Sequence, residues 1–278
     1  MIRPGKRTDE RLPPDCKQIP VGLTDVDKLT EIVSECAAVI YCAGSVRGRE
    51  AADFAQANIF GVKAMLEALE RCSNAPPLLL VSSLAASRPQ LSDYSCSKRT
   101  GEDLLTENHS LPWTILRPPA IYGPGDKEML PVLKMARRGI LAHAGPHSQR
   151  LSMLHVDDLT NAIVAWVGSW QNCLQQTYAI DDGKPDGYDW ADIGEAVSQG
   201  KYRLMKIPQF FLDSAARFNL ISAGIFGFAP MLTPGKVQEL IQPDWLCTDN
   251  ERFTDATAWA PQFDLKQGAQ MMVEQGTL

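Results

Sequence analysis

Three side chains in this chain have the types and spacing to move a proton. Ser83 closes the apolar run 78–83 (LLLVSS), which reads as a buried strand delivering the serine to its carboxyl edge. Tyr94 and Lys98 stand four apart in Ser92-Asp93-Tyr94-Ser95-Cys96-Ser97-Lys98, where a helix opens. On a helix, positions i and i+4 share one face about 6 Å apart along the axis. A phenol, an ammonium and a hydroxyl around one point make a site for general acid or base work. The spacing alone is weak, because Tyr202 and Lys206 repeat it. That second pair lies in a short segment ended by Pro208 that reads as a strand, where the two side chains would stand about 13 Å apart. We read it as structural.

The elements that must position the first pair follow from periodicity. From residue 26 to 180 the chain alternates helix and strand. Residues 25–34 read as a helix capped by Thr24 or Asp25, and 37–42 as a strand. Residues 50–71 read as one long helix with apolar positions at Phe54, Ala57, Ile59, Val62, Met65, Leu66 and Leu69. Strand 78–81, helix 94–108 and strand 113–116 come next, the last closed by Pro118 and Pro119. Residues 128–138, 153–155, 156–166 and 177–180 continue the alternation. This pattern predicts an α/β fold, a doubly wound parallel sheet with ligands at the carboxyl ends of its strands. After Asp182 the composition changes. Residues 1–182 are expected to form a Rossmann-like unit, and 183–278 a smaller, mainly helical region over the strand ends.

Composition narrows the class. At 278 residues, 45% apolar and 22% charged, the chain is an ordinary globular protein. A net charge of −6 offers no basic surplus to a nucleic acid. The first ten residues have no apolar core of a secretory signal. The uncharged run 218–233 falls short of a bilayer span. It reads as a buried core helix, with a membrane-facing or pocket-lining helix pair as the alternative. Phe210, Phe211, Phe218, Phe226 and Phe228 are read as mostly core, with part lining an apolar pocket. Seven cysteines at no ligand spacing point to reduced thiols and a cytoplasmic protein. No metal site is expected: His143 and His147 have no carboxylate or cysteine partners at ligand spacing. His155 reads as a structural histidine at a strand end and Asp158 as a helix cap.

The glycines form no G-x-G-x-x-G or G-x-x-G-x-x-G. A dinucleotide docks at the first strand, turn and helix of such a fold. Here the first recognisable element is already a strand end, Met1-Ile2-Arg3, so the chain reads as beginning after that unit.

Taken in order, the motifs resemble the extended branch of the short-chain dehydrogenase/reductase family, which includes nucleotide-sugar epimerases, dehydratases and hydroxysteroid dehydrogenases. Residues 37–44, ending Cys42-Ala43-Gly44, look like the family's fourth strand with its turn beside the cofactor. Asn58-Ile59-Phe60-Gly61 is similar to the N-x-x-G helix motif, and Val81-Ser82-Ser83 to the strand carrying the catalytic Ser/Thr. Tyr94 and Lys98 match the catalytic pair. Residues 116–125 resemble the R-P-x-x-[IV]-Y-G-P loop, His155-Val156-Asp157-Asp158-Leu159 the H-V-D-D-[LV] helix start, and Ala258-Trp259-Ala260-Pro261 the closing segment.

The resemblance implies an NAD- or NADP-dependent oxidoreductase or epimerase acting on the hydroxyl or carbonyl of a small molecule. Tyr94 would be general acid or base, and Lys98 would hold the nicotinamide ribose and lower the tyrosine pKa. Ser83 would bind the substrate oxygen, and Asn58 would support the site or satisfy a backbone group. Arg3, Leu23, Cys42, Ala43, Gly44, Pro118 and Ile121 would line the cofactor. Gly22 stands where an adenine-binding acid is usual, so that contact would rest on backbone. Ala120 replaces an asparagine common in sugar-nucleotide enzymes, which favours an alcohol or steroid-like substrate. Arg3 stands where NADP-preferring members often keep a basic residue. Members often dimerise through the two long helices matching 50–71 and 94–108. A cofactor-poor scaffold or sensor, or a truncated gene product, stands as the alternative.

Overall fold

The computed structural model describes Met1 and residues 12–278. Arg3 lies outside them. In chain order the elements begin with α1 (Val26–Val33), β1 (Val39–Tyr41), α2 (Ala51–Ala55), α3 (Gly61–Glu70), β2 (Leu78–Val81), α4 (Asp93–Thr106) and β3 (Trp113–Leu116). They continue with β4 (Ala120–Tyr122), α5 (Leu130–Arg137), β5 (Ile140–His143), β6 (Arg150–Leu151), β7 (Met153–His155), α6 (Val156–Ser169) and β8 (Gln176–Tyr178). The last are α7 (Trp190–Ser198), β9 (Arg203–Lys206), α8 (Gln209–Phe226), α9 (Pro234–Leu240), β10 (Asp244–Trp245), α10 (Asn250–Thr257) and α11 (Leu265–Glu274).

A parallel sheet, β1-β2-β3-β8, forms the centre, so its strands end along one edge. Alternate residues of each strand feed opposite faces. Leu78, Leu80, Trp113 and Ile115 join Leu29, Val33, Met65, Leu69 and Leu105 on one face. Leu79 and Leu116 meet Leu154, Trp166, Phe253 and Trp259 on the other. Burial on both faces is why these strands read as unbroken apolar runs. This is a Rossmann-like α/β fold. A third core gathers Tyr122, Leu133, Leu141, Met153, Ile193, Leu265 and Met272. It draws on both sides of residue 182, since β5 pairs with β9 and β6 with β10.

Two expectations are corrected. Residues 50–71 do not form one regular helix, because a π-helical turn, Gln56–Phe60, separates α2 from α3. The Tyr41 hydroxyl donates to Ala57 O at 2.7 Å, and α4 presses against the widened turn at Gly101. A Cβ on Gly101 would stand 2.3 Å from Asn58 O. Gly101→Ala is therefore expected to cost about 1–3 kcal/mol despite alanine's better helix propensity. A fall of several degrees in the thermal midpoint checks it.

The second correction concerns the uncharged run 218–233 and its phenylalanines. Part of the run belongs to α8, where Ala216 and Ala223 are the buried residues. Phe210, Phe211, Phe218, Phe226 and Phe228 are all exposed. The helix packs through small residues on the opposite side, which leaves no core for the rings to enter. No helix among the described residues is long and apolar enough to cross a membrane.

Candidate active site

The serine comes first. Its strand, β2, ends at Val81, and Ser83 then caps a short 3-10 turn, accepting from Ala85 N at 3.2 Å. Ser92 caps α4 by accepting from Ser95 N at 3.0 Å, which places Tyr94 and Lys98 in the first turns of that helix. The Tyr94 phenol reaches the Ser83 hydroxyl and shares a hydrogen bond with it. Burial raises the Tyr94 pKa above the ordinary phenol value; the Ser83 bond and the Lys236 charge oppose this, and Glu239 and Glu128 add to it. The phenol is thus held protonated at neutral pH.

Lys98, one turn further along α4, reaches the end of β2. Its ammonium donates to Val81 O at 2.9 Å. Burial pulls its pKa down to about 8, against the opposing charges of Glu102 and Cys42. The expectation that Lys98 lowers the tyrosine pKa is not met here. Lys98 is drawn to the end of β2, and the cation acting on Tyr94 is Lys236.

Asn58 ties the site together from behind. Buried in the π-helical turn, it accepts from Ser45 N and donates to Ser45 O, both at 3.0 Å, and donates to Ser97 Oγ at 2.9 Å. It thereby fixes the loop carrying Cys42, Ala43 and Gly44 against the helix that carries Lys98. Pro118 lies on the same strand-end edge, its carbonyl accepting from Leu84 N at 2.9 Å. Leu23 packs against the first core and Ile121 against the second. His155 caps α6, accepting from Asp157 N. Asp158 is not that cap; its carboxylate accepts from Gln262 N and Phe263 N, both at 3.0 Å.

Sequence reasoning missed the group that closes the site. Lys236 and Glu239 of α9 pair at 2.9 Å, and Glu239 also accepts from Ser95 Oγ at 3.1 Å and from Ser92 Oγ. Burial works against the Lys236 charge, but Glu239, Tyr94 and Glu128 outweigh it and raise its pKa. Arg88 latches the segment after α9, donating to Asp244 O at 2.8 Å and stacking over Trp245. A lone Pro-Gly-Lys far along the chain carries no local sign of this role.

Residues 3–178 match the profile of the NAD dependent epimerase/dehydratase family. The chain belongs to that family. It is similar to the ceramide reductase of Caulobacter vibrioides (strain NA1000 / CB15N), 34% identical over 211 residues that cover 74% of this chain and 64% of the relative. The 2-alkyl-3-oxoalkanoate reductase of Stenotrophomonas maltophilia (strain K279a) is 26% identical over 194 residues, covering 63% and 55%. The chain thus spans less than two thirds of the length of either curated relative. Among solved structures, RMD from Pseudomonas aeruginosa complexed with NADPH superposes with a TM-score of 0.65 at 19% identity, covering 96% of this chain and 89% of that one.

The family is NAD dependent, and the residues present fit the nicotinamide-ribose end of such a cofactor. The buried Lys98 ammonium makes one protein hydrogen bond and has N–H donors to spare, and Ser82 Oγ at the same strand end is buried without a partner. No glycine-rich pyrophosphate cradle occurs among the described residues.

Proposed function

We propose that this family member is an NAD- or NADP-dependent reductase of a ketone carried on a long apolar chain. The observation that carries the reading is the placement of the Tyr94 phenol, at the start of α4, beside Ser83 at the end of β2, with its pKa raised and its proton therefore available at neutral pH. A protonated phenol gives a proton to a carbonyl oxygen, which is the reductive direction. The names of the two relatives, a ceramide reductase and an alkyl-oxoalkanoate reductase, support a lipid-like ketone. So does Ala120, where a sugar-nucleotide enzyme would keep a polar contact.

When bound, the nicotinamide would supply the hydride. The chain's residues do the rest. Ser83 orients the substrate oxygen, Tyr94 transfers its hydroxyl proton to that oxygen, and Lys98 holds the ribose hydroxyls. Asn58 is a positioning residue acting through Ser45 and Ser97. Cys42, Ala43, Gly44 and Pro118 border the cofactor at the strand ends, with Leu23 and Ile121 supporting from the two cores. Residues 1–182 serve as the cofactor unit, and 183–278 bring Lys236 over the substrate. A homodimer through α3 and α4 and a cytoplasmic location complete the reading; the seven cysteines are unpaired.

Lys236→Gln tests the closing group. It removes the cation that opposes the upward shift of Tyr94, so the phenol titrates at still higher pH. Difference absorbance against Tyr94→Phe reads that shift, and reductive turnover is expected to fall about tenfold. An unmoved phenol would remove Lys236 from the site.

The decisive experiment is titration calorimetry of the full chain with NADPH and NADH, followed by loss of reduced cofactor absorbance with 3-oxo acids and 3-oxo amides of long alkyl chain. Binding with turnover of these ketones supports the reading. Absence of cofactor binding overturns it in favour of a non-catalytic scaffold, and binding without turnover overturns the substrate class.

A further inference from the structure

Helix α8 turns its apolar face away from the protein. Phe210, Phe211, Phe218, Ile221 and Ile225 are 72, 61, 72, 64 and 72% exposed. At 3.6 residues per turn these five fall within an arc of about 100°, opposite the buried Ala216 and Ala223. Phe226, the last residue of the helix, and Phe228 just beyond it are exposed as well. Single exposed apolar residues are ordinary, but a continuous aromatic stripe marks a surface that meets something.

Basic residues stand on the helix margin and at the paired strands β5 and β9, of which β9 leads into the helix. Arg217 lies at its margin, and Lys201, Arg203 and Lys206 lead into the helix. Arg137 and Arg138 adjoin them, because β5 starts just beyond and its Ile140 registers with Arg203. All six are exposed, and none enters an ion pair among the described residues. From 201 to 236 five basic residues face one acid, Asp213, in a chain whose net charge is −6.

We infer that α8 is an interfacial anchor that lays its phenylalanine stripe into the surface of an anionic lipid bilayer, with the flanking Lys and Arg at the headgroup phosphates. An apolar face with basic residues beside it matches the two forces that hold a helix in the plane of a membrane. Asp213, Arg217 and Asn219 on the same helix fit a helix lying on a bilayer and not across it. A second copy of this chain fits the face less well, because a two-fold interface would bring the same basic residues against themselves. The inference stands apart from the catalytic reading, since lipid binding needs neither cofactor nor turnover.

Flotation of the full chain with vesicles of phosphatidylcholine and phosphatidylglycerol, against phosphatidylcholine alone, tests it. The chain is expected to float with the anionic vesicles, and less so as salt rises. Joint replacement Phe210→Ser, Phe218→Ser and Ile225→Ser should lower the bound fraction about tenfold with unchanged circular dichroism. Lys201→Gln, Arg203→Gln and Lys206→Gln together should erase the preference for anionic vesicles. Phe218→Trp keeps the apolar face and should show a blue-shifted emission when anionic vesicles are added. Failure to float, equal flotation of the serine variant, or an unshifted emission would overturn the anchor. A dimer that the serine variant dissociates, with no vesicle binding, would assign the face to a second copy instead.

Discussion

Tyr94→Phe is expected to lower ketone reduction by about 10²–10⁴-fold, the usual worth of a positioned general acid, with little change in thermal midpoint. The ring stays, so its tilted contact with Phe54, 6.1 Å between centroids, survives. What goes is the proton that the substrate oxygen must receive, and the hydrogen bond to Ser83. Cofactor affinity should change little, because Lys98 is untouched; a loss confined to binding would contradict the assignment. The pH profile gives a second readout. Tyr94 stays protonated through neutrality, so it should not limit the reductive rate there. Lys98, at about 8, loses its charge as pH rises through that value, so the rate should decline above about pH 8. Were the decline absent, the Lys98 charge would have no part in turnover.

The sequence made the central sheet legible because its strands are buried on both faces. Leu78-Leu79-Leu80-Val81 reads as a buried strand from its short apolar run, and the structure sends Leu79 one way and Leu78 and Leu80 the other. The meeting of Ser83 with Tyr94 was likewise readable, since a strand end and a helix start fix both ends of the contact. Lys236 was not, because nothing near it in the chain marks a packing partner more than a hundred residues away. The π-helical turn at Asn58 was hidden for a related reason. Apolar spacing tolerates one extra residue per turn, and the carbonyl contact with Gly101 is a tertiary event. The phenylalanines of α8 show the deepest limit. Period 3.6 identifies an apolar face but not what covers it, and a core-facing and a lipid-facing stripe look alike.

The largest stability effect is expected from Glu102→Gln. Glu102 is 1% exposed and receives Arg117 through both carboxylate oxygens, at 3.0 and 3.1 Å from Nε and 2.5 Å from the guanidinium end. Removing the charge leaves a largely buried guanidinium uncompensated, at a cost of about 3 kcal/mol, the lower end for a broken buried pair because Arg117 retains some solvent. The same charge also supports Lys98 one turn away on α4. Glu102 raises the Lys98 pKa against burial, so its loss should carry that value below about 8. The sign for stability follows from proton counts. A cation depressed in the folded state binds fewer protons there than in the unfolded chain, so stability rises with pH between the two pKa values. In Glu102→Gln that window opens at lower pH, so the variant should recover part of its deficit against wild type as pH rises toward 8, and above that the two should gain in parallel. Thermal melts across pH, with 13C NMR of the lysine ε-carbon, measure both effects. The double variant Glu102→Met with Arg117→Met should regain most of the 3 kcal/mol, since a pair replaced by apolar groups leaves no charge stranded. If the double variant melts no higher than Glu102→Gln, the cost lies in lost packing and not in the uncompensated guanidinium.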